Sequence, residues 1–311
     1  MCTMNQFQSD ELTINTAFPS SRIYMPQGSD LGYNTNHNVH DGQRKLLLSE
    51  IEFLTEVLSR RCDSSTTTHR SLPNLLCVYA GACPCTHLKK VLHMFPNVSW
   101  VLVDPRFKEG KYLTNWDKRR VAVCAHNFND ATAQEISSWV QGGGKSNSRM
   151  LPSLQGLDWD PNCGFQNLLF VSDIRSDSHN EVSIESDMEN QARWFKLLHA
   201  SAGLLKFRLP YCDERWYSEY LKHRGFTSYL DGTIHLPIWG PPSTSECRLH
   251  VQIGGGVKQY DVYKHEMRMA GFEADDRKRS YVFENKLYSS FDRAAEACTM
   301  HAYVRCMKDY A

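Results

Sequence analysis

The sequence predicts an α/β domain built on a mostly parallel sheet that is flanked by helices. First, four short apolar runs alternate with segments of helical periodicity, which is typical of βαβ units. Second, these runs end beside Gly81, Asp104 and Asp173, residue types suited to the ligand-binding edge of such a sheet. Third, a hydrophobic content of 41% in 311 residues is enough for a packed core.

Each element follows from its local pattern. Residues 1–40, rich in Asn, Ser, Gly and His, predict an N-terminal arm, and apolar residues at helical spacing over 43–58 predict the first helix. The remaining predicted elements are strands at 75–80, 100–103, 121–125, 168–171, 204–209 and 248–253 and helices at 86–94, 131–140, 185–200 and 216–223.

The same patterns divide the chain. The alternation of strands and helices predicts one domain over residues 41–260. Glycines and prolines interrupt it near 142–166, where we expect a surface insertion. Residues 261–311 predict a helical C-terminal extension, made of one or two amphipathic helices packed on the domain.

Composition excludes several classes of protein. The formal charge is zero, with 35 basic and 35 acidic residues, which argues against a broadly basic nucleic-acid coat but leaves room for a local patch. No apolar run reaches the ~20 residues of a membrane span, and the polar start of the chain does not predict a signal peptide. The 11 cysteines lack Cys-x-x-Cys pairs, so we expect reduced thiols and no metal site.

A turn after the first strand, residues 79–87, predicts a ligand site. Gly81 would let the backbone approach a ligand closely, and Asp104, after the next strand, could accept hydrogen bonds from ribose hydroxyls. An ordinary strand–turn–helix corner is the alternative. No G-x-G-x-x-G or P-loop pattern is present, which disfavours dinucleotides and nucleoside triphosphates. S-adenosylmethionine, which needs no pyrophosphate cradle, fits best.

Four polar residues predict a catalytic cluster. Lys45, Asp173, Lys206 and Glu246 each flank an apolar run, and they can meet in the interior only if they pair with one another. Burial of Lys206 beside a second cation would favour its neutral amine, which is a base. Taken singly, each residue is more simply read as a solvated side chain.

The order Lys-Asp-Lys-Glu resembles the tetrad of ribose 2'-O-methyltransferases. Over roughly residues 24–255 the neighbouring words are similar to those of the poxvirus-type cap-specific mRNA (nucleoside-2'-O-)-methyltransferase family. In that family the turn after the first strand reads Tyr-x-Gly-x-Ala-Pro-Gly-Thr-His, and residues 79–87 of this chain match it except at Cys83 and Cys85. The family's Ile-Asp-Gly-Arg segment resembles residues 103–106. The side chain of Cys85 could crowd a cofactor, and its place before a helix predicts a lowered thiol pKa.

The resemblance implies a single Rossmann-like S-adenosylmethionine-dependent methyltransferase domain. It implies that Lys45, Asp173, Lys206 and Glu246 are catalytic, with Lys206 as the base. The cofactor contacts would be Gln43, Tyr79, Gly81, Cys85, His87, Asp104, Arg106, Phe128 and Asp173.

The resemblance also implies a substrate, capped mRNA. Tyr24 and Tyr211 would stack on the methylated guanine, Asp213 and Glu266 would contact the base, and Arg175 and Arg208 would meet phosphates.

A poly(A) or RNA polymerase subunit is a further implied partner, and no membrane is implied. A viral protein would be cytoplasmic, in a viral factory or virion, and a protist protein nuclear. A non-catalytic cap-binding subunit is the alternative, and N6-adenine methylation is disfavoured because no Asn/Asp-Pro-Pro-aromatic motif occurs.

Overall fold

The computed structural model describes residues 39–63, 71–110, 116–142, 151–159, 164–177, 180–210, 225–240 and 246–310. The predicted arm before residue 39 and the predicted helix at 216–223 lie outside these ranges. No described helix combines the length and apolar character that a membrane crossing requires.

The predicted sheet is present. Its strands are β1 Leu75–Ala80, β2 Val98–Val103, β3 Val121–Cys124, β4 Leu168–Ser172, β5 Ala202–Phe207, β7 Gly232–His235 and β8 Cys247–Gln252. These seven strands pair in the order β3-β2-β1-β4-β5-β8-β7. Neighbouring strands from β3 to β5 are parallel, whereas β8 is antiparallel to both β5 and β7. Strand order therefore reverses beside β1, which is where an open α/β sheet forms its ligand crevice.

Helices cover both faces of this sheet. The side chains of β1 alternate between the two cores, with Val78 in one and Tyr79 in the other, so the strand is apolar throughout. One face packs on α1 and α2, and the other packs on α3 and α4. The helices are α1 Val39–Asp63, α2 Leu88–Met94, α3 Asp130–Gln141, α4 Glu181–Leu197, α5 Val262–Ala274 and α6 Phe291–Lys308.

Several elements differ from the sequence prediction. A second antiparallel pair, β6 Phe226–Leu230 and β9 Val257–Asp261, was not expected. The last fifty residues are not wholly helical, because a hairpin of β10 Tyr281–Phe283 and β11 Lys286–Tyr288 separates α5 from α6. Its turn residues Glu284 and Asn285 have φ of 47° and 60°, a left-handed pair typical of tight hairpins.

The extension and part of the insertion pack on the domain. Tyr310 donates a hydrogen bond to the Leu58 carbonyl at 2.9 Å, which ties the end of α6 to α1. In the insertion, the Trp159 ring lies 5.3 Å from that of Trp139 on α3. Both segments therefore add to the core around the sheet.

Candidate active site

A cavity of about 1090 Å³ opens at the carboxyl ends of the parallel strands. Its walls come from the start of α1, the turns after β1, β2, β3 and β4, and one face of α4. Nine residues predicted from the sequence line it: Gln43, Lys45, Gly81, Asp104, Arg106, Phe128, Asp173, Arg175 and Lys206. The topology thus brings together residues that lie more than 160 positions apart in the chain.

The four predicted cluster residues meet at the floor of this cavity. Lys206 Nζ lies 3.0 Å from Asp173 Oδ1 and 3.5 Å from Glu246 Oε2. Lys45 Nζ donates to Glu246 Oε1 at 2.8 Å. Lys206 is the next-to-last residue of β5, Asp173 follows β4, Glu246 precedes β8, and Lys45 lies in the first turns of α1. Each side chain is one-tenth to one-fifth exposed, so the cluster is sheltered but open to the cavity.

Arg248 is a fifth member of the cluster that sequence reasoning missed. Its Nη2 lies 2.8 Å from Asp173 Oδ1 and 3.5 Å from Glu246 Oε1, and its side chain is 3% exposed. The signal was available, because Glu246 and Arg248 are two positions apart and strand neighbours at that spacing share a face. The two carboxylates therefore neutralise part of a larger group of cations.

The charges of this cluster stabilise one another. Burial, the largest influence, raises the pKa of Asp173, but the charges of Lys206 and Arg248 outweigh burial and lower it. Burial likewise raises the pKa of Glu246, and Lys206, Lys45 and Arg248 bring it well below its usual range. Burial lowers the pKa of Arg248, but the negative charges of Asp173 and Glu246 outweigh burial and raise that pKa above its usual value. Both carboxylates are therefore ionised at neutral pH.

The turn after β1 presses against the chain beyond β4. Gly81 has a φ of 75°, and a Cβ built there would lie 3.0 Å from the Ile174 nitrogen and 3.1 Å from the Asp173 carbonyl carbon. The Asp173 nitrogen also donates to the Ala80 carbonyl at 3.0 Å. Both the conformation and the close approach favour glycine. The turn therefore sets the position of Asp173 in the cavity wall.

Asp104 and Arg106 line the cavity in the turn after β2. The Asp104 carboxylate accepts from the Cys83 nitrogen at 3.1 Å and from the Arg106 nitrogen at 2.9 Å. The Arg106 guanidinium contacts the same carboxylate through Nε at 3.0 Å and Nη2 at 2.8 Å, and it also reaches the Cys83 carbonyl. Half of the Arg106 side chain is exposed, so it can move away from a ligand hydroxyl that approaches Asp104.

Three residues predicted as cofactor contacts lie behind the wall. The side chains of Tyr79, Cys85 and His87 are buried and do not line the cavity. His87 joins Gln43 Oε1 at 2.9 Å and Glu50 Oε1 at 2.8 Å. Because Gln43 Oε1 also accepts from the Thr86 nitrogen at 2.9 Å, its amide is fixed at the cavity rim. His87 therefore helps to fix the Gln43 side chain at the cavity rim, although its own ring does not reach the cavity.

The sequence expectation for Cys85 is wrong. Its φ of 44° turns the thiol into the core between β1 and α2, where it is fully buried. Burial, with smaller contributions from Cys83, Glu50 and Asp104, raises the thiol pKa to about 12 instead of lowering it. The thiol is therefore neutral and does not crowd the cavity. The left-handed φ explains why the resembling family has glycine here.

The predicted RNA-contacting residues separate into three groups. Arg175 lines the cavity, and its Nη1 and Nη2 are buried without a hydrogen-bond acceptor in the described part of the chain. Arg208 and Glu266 do not line the cavity; Arg208 pairs with Glu181 at 2.6 Å, and Glu266 is buried on α5. Tyr24, Tyr211 and Asp213 lie outside the described residues.

A cluster of possible metal ligands lies away from the cavity. Glu52, His235 and His250 each place one ligand atom within 4.8 Å of the others. The two imidazoles stack with centroids 3.5 Å apart and planes 11° apart. A ring nitrogen binds a metal in its ring plane, so these parallel rings do not point at a common ion. Glu56 accepts from His250 Nδ1 at 2.9 Å, which suits a proton-sharing network that joins α1 to β7 and β8.

The chain is similar to several known proteins. Residues 25–140 match the family model described as "Poly A polymerase regulatory subunit". The chain is 23% identical over 273 residues to the cap-specific mRNA (nucleoside-2'-O-)-methyltransferases of Myxoma virus strains Lausanne and Uriarra, covering 81% of this chain and 67% of each relative. The crystal structure of human methyltransferase-like protein 13 in complex with SAH aligns over 79% of this chain and 96% of that chain, at 12% identity and a TM-score of 0.35. The parallel strand order described above defines the fold as Rossmann-like α/β.

Proposed function

We propose that this chain is an S-adenosylmethionine-dependent methyltransferase that modifies a ribose 2'-oxygen of a cap-proximal nucleotide in mRNA. The observation that supports it best is the position of Lys206 Nζ, held at the cavity floor by Asp173 and Glu246. The Myxoma virus relatives support the choice of reaction.

The described residues fit this cofactor. Gly81 lines the cavity in the turn after β1, and the Asp104 carboxylate is placed for ribose hydroxyls. Gln43 has its amide oxygen occupied by donors, so its amide nitrogen is the group left for a ligand carboxylate. When bound, S-adenosylmethionine supplies a methyl group on a cationic sulfur.

The chain's own residues then perform acid–base and positioning roles. Lys206 Nζ would take the proton of the 2'-hydroxyl as that oxygen receives the methyl group that the cofactor would supply. Asp173 and Glu246 fix the direction of that amine. Arg175, which has unused donors at the cavity wall, is suited to a phosphate of the RNA. Holding the reacting atoms in line supplies much of the rate.

The substrate assignment extends to three residues outside the described ranges. Tyr24, Tyr211 and Asp213 remain the proposed contacts of the methylated guanine. The buried positions of Arg208 and Glu266 argue against direct contact with the base or phosphates as the cavity stands. The expected location in the cytoplasm of an infected cell, or in the nucleus of a protist, remains part of the proposal.

A non-catalytic subunit of a polymerase is the second candidate, favoured by the match to the poly(A) polymerase regulatory family model. Short capped and uncapped RNAs should be incubated with the protein and methyl-labelled S-adenosylmethionine, and the labelled ribose mapped by nuclease digestion. We expect label on a 2'-oxygen near the cap, and none with uncapped RNA. Cap binding without any label would favour the non-catalytic candidate.

A further inference from the structure

The backbone of Lys206 lies where the sheet loses a strand. Pairing between β4 and β5 ends at Ser172 and Leu205, because the chain leaves the sheet after Ser172. Lys206 is the next residue of β5, and it is buried. Its amide and carbonyl therefore need partners other than β4.

Gln191 of α4 supplies both partners. The Lys206 nitrogen donates to Gln191 Oε1 at 3.1 Å, and Gln191 Nε2 donates to the Lys206 carbonyl at 3.1 Å. A side-chain amide presents the same donor and acceptor as a peptide group, so it takes the place of the missing strand residue. Gln191 is fully buried, which makes the loss of either bond costly.

The same helix holds two neighbouring segments. Asp187, one turn before Gln191, accepts from the nitrogen and hydroxyl of Ser176, each at 2.7 Å. Glu181, in the first turn, pairs with Arg208. The α4 helix thus holds the chain just after Asp173, the backbone of Lys206 and the side chain of Arg208.

We propose that Gln191 is a positioning residue for the transfer reaction, acting through the Lys206 backbone to hold Nζ at its place between Asp173 and Glu246. This inference rests on the proposed function, because Lys206 is the proposed base. A lysine side chain has four rotatable bonds, so the direction of its strand decides where the amine can reach. A displacement of about 1 Å at a reacting group can reduce the rate on the order of 100-fold.

The first test is Gln191→Met, which keeps the length and removes both hydrogen bonds. We expect kcat to fall about 10- to 100-fold, while the Kd for S-adenosylmethionine stays within twofold of wild type. Gln191→Glu is the second variant: it keeps the acceptor for the Lys206 nitrogen and adds a negative charge. Gln259→Met, on exposed β9, is the matched control and should leave kcat unchanged.

A readout without RNA follows the Lys206 amine itself. Trace acetylation with acetic anhydride over a pH series, quantified by mass spectrometry, gives the pH at which the amine becomes reactive. We expect this midpoint to move by at least half a pH unit in Gln191→Met and to higher pH in Gln191→Glu, because an added carboxylate favours the ammonium. Lys264, whose side chain is 83% exposed, is the internal standard and should not change.

These readouts separate the possible results. If the Lys206 midpoint and kcat match wild type in both folded variants, the inference is overturned. A fall in kcat that is matched by weaker S-adenosylmethionine binding, with an unchanged midpoint, also overturns it in favour of a general structural role. A shifted midpoint in a protein that methylates no RNA supports the positioning of Lys206 and refutes the proposed function instead.

Discussion

Lys206 and Arg248 are directly opposite each other on β5 and β8, and both contact the same oxygen, Asp173 Oδ1. Like charges in cross-strand pairs normally repel. Here the two carboxylates of Asp173 and Glu246 lie between the cations and offset that repulsion. The arrangement leaves Lys206 facing the cavity, whereas Arg248 is sealed beneath it.

The role of Lys206 as base is tested by Lys206→Arg. Arginine keeps the positive charge but does not deprotonate near neutral pH, so methyl transfer should fall at least 100-fold. Binding of S-adenosylmethionine, measured by calorimetry, should stay near that of wild type. Lys264→Arg on the exposed face of α5 serves as control. Activity within a few-fold of wild type would show that Lys206 is not the base.

Arg248 is expected to stabilise the cluster more than any surface pair. Arg248→Met would leave two buried carboxylates with fewer cations and should lower the free energy of unfolding by about 3–5 kcal/mol at pH 7. Arg119, which is 74% exposed and pairs with Asp117, is the matched control. Its substitution by methionine should leave the free energy of unfolding nearly unchanged, because an exposed ion pair is screened by solvent. Urea unfolding measures both, and equal losses would contradict the expectation.

The close approach at Gly81 can be separated from its backbone conformation. Gly81→Ala and Gly110→Ala change glycines with φ of 75° and 73°, but a Cβ at Gly110 meets nothing within 4 Å. Both variants should lose about 1 kcal/mol from the left-handed φ. Only Gly81→Ala should lose further stability and weaken S-adenosylmethionine binding. If the two variants behave alike, the contact with the Asp173 segment has no effect.

Glu56 should make stability depend on pH in the acid range. Burial raises the pKa of its carboxyl, but the hydrogen bond from His250 and the charges of His250, His235 and Arg60 outweigh burial and lower it to about 2. A depressed carboxyl contributes stability above its unfolded pKa, near 4.5, and loses it as pH falls toward 2. The shift corresponds to roughly 3 kcal/mol. Unfolding free energy should therefore fall less steeply below pH 4.5 in Glu56→Gln.

The control for that series is Glu189→Gln, at an exposed position of α4, which should keep the wild-type slope. Identical slopes in all three proteins would show that the Glu56 carboxyl is not depressed by its histidine partners.

Cys85 should be unreactive. Because burial holds the pKa of its thiol near 12, iodoacetamide at pH 7.5 should alkylate it far more slowly than the partly exposed Cys298. Saturating S-adenosylmethionine should leave both rates unchanged, since the thiol does not face the cavity. Peptide mass spectrometry gives both rates. Rapid labelling of Cys85 would place its side chain in the cavity after all.

The parallel strands were predictable from local patterns, whereas the cluster was predictable from the order Lys-Asp-Lys-Glu and its resemblance to a known tetrad. Buried strands read as apolar runs, and topology brings their carboxyl ends to one edge. The two hydrogen bonds of Gln191 to the Lys206 backbone were not predictable, because the sequence shows only a glutamine on a helix. Their role becomes visible once the structure shows that β4 ends at Ser172 and leaves the Lys206 backbone without a strand partner on that side. The Cys85 error had a similar cause: its position before α2 suggested a lowered thiol pKa, but the left-handed φ turns the thiol into the core.

The cavity floor has a further consequence for encounter with a polyanion. Lys45, Arg175, Lys206 and Arg248 face two carboxylates, so this small region carries two formal positive charges in a chain whose total is zero. The remaining residues together carry a formal charge of −2, because 31 basic and 33 acidic residues are left (35 − 4 and 35 − 2). Electrostatic attraction of RNA is then concentrated at the cavity floor, so it orients an incoming strand as well as binding it. Because salt screens this attraction, the rate of association with RNA should decline as ionic strength rises.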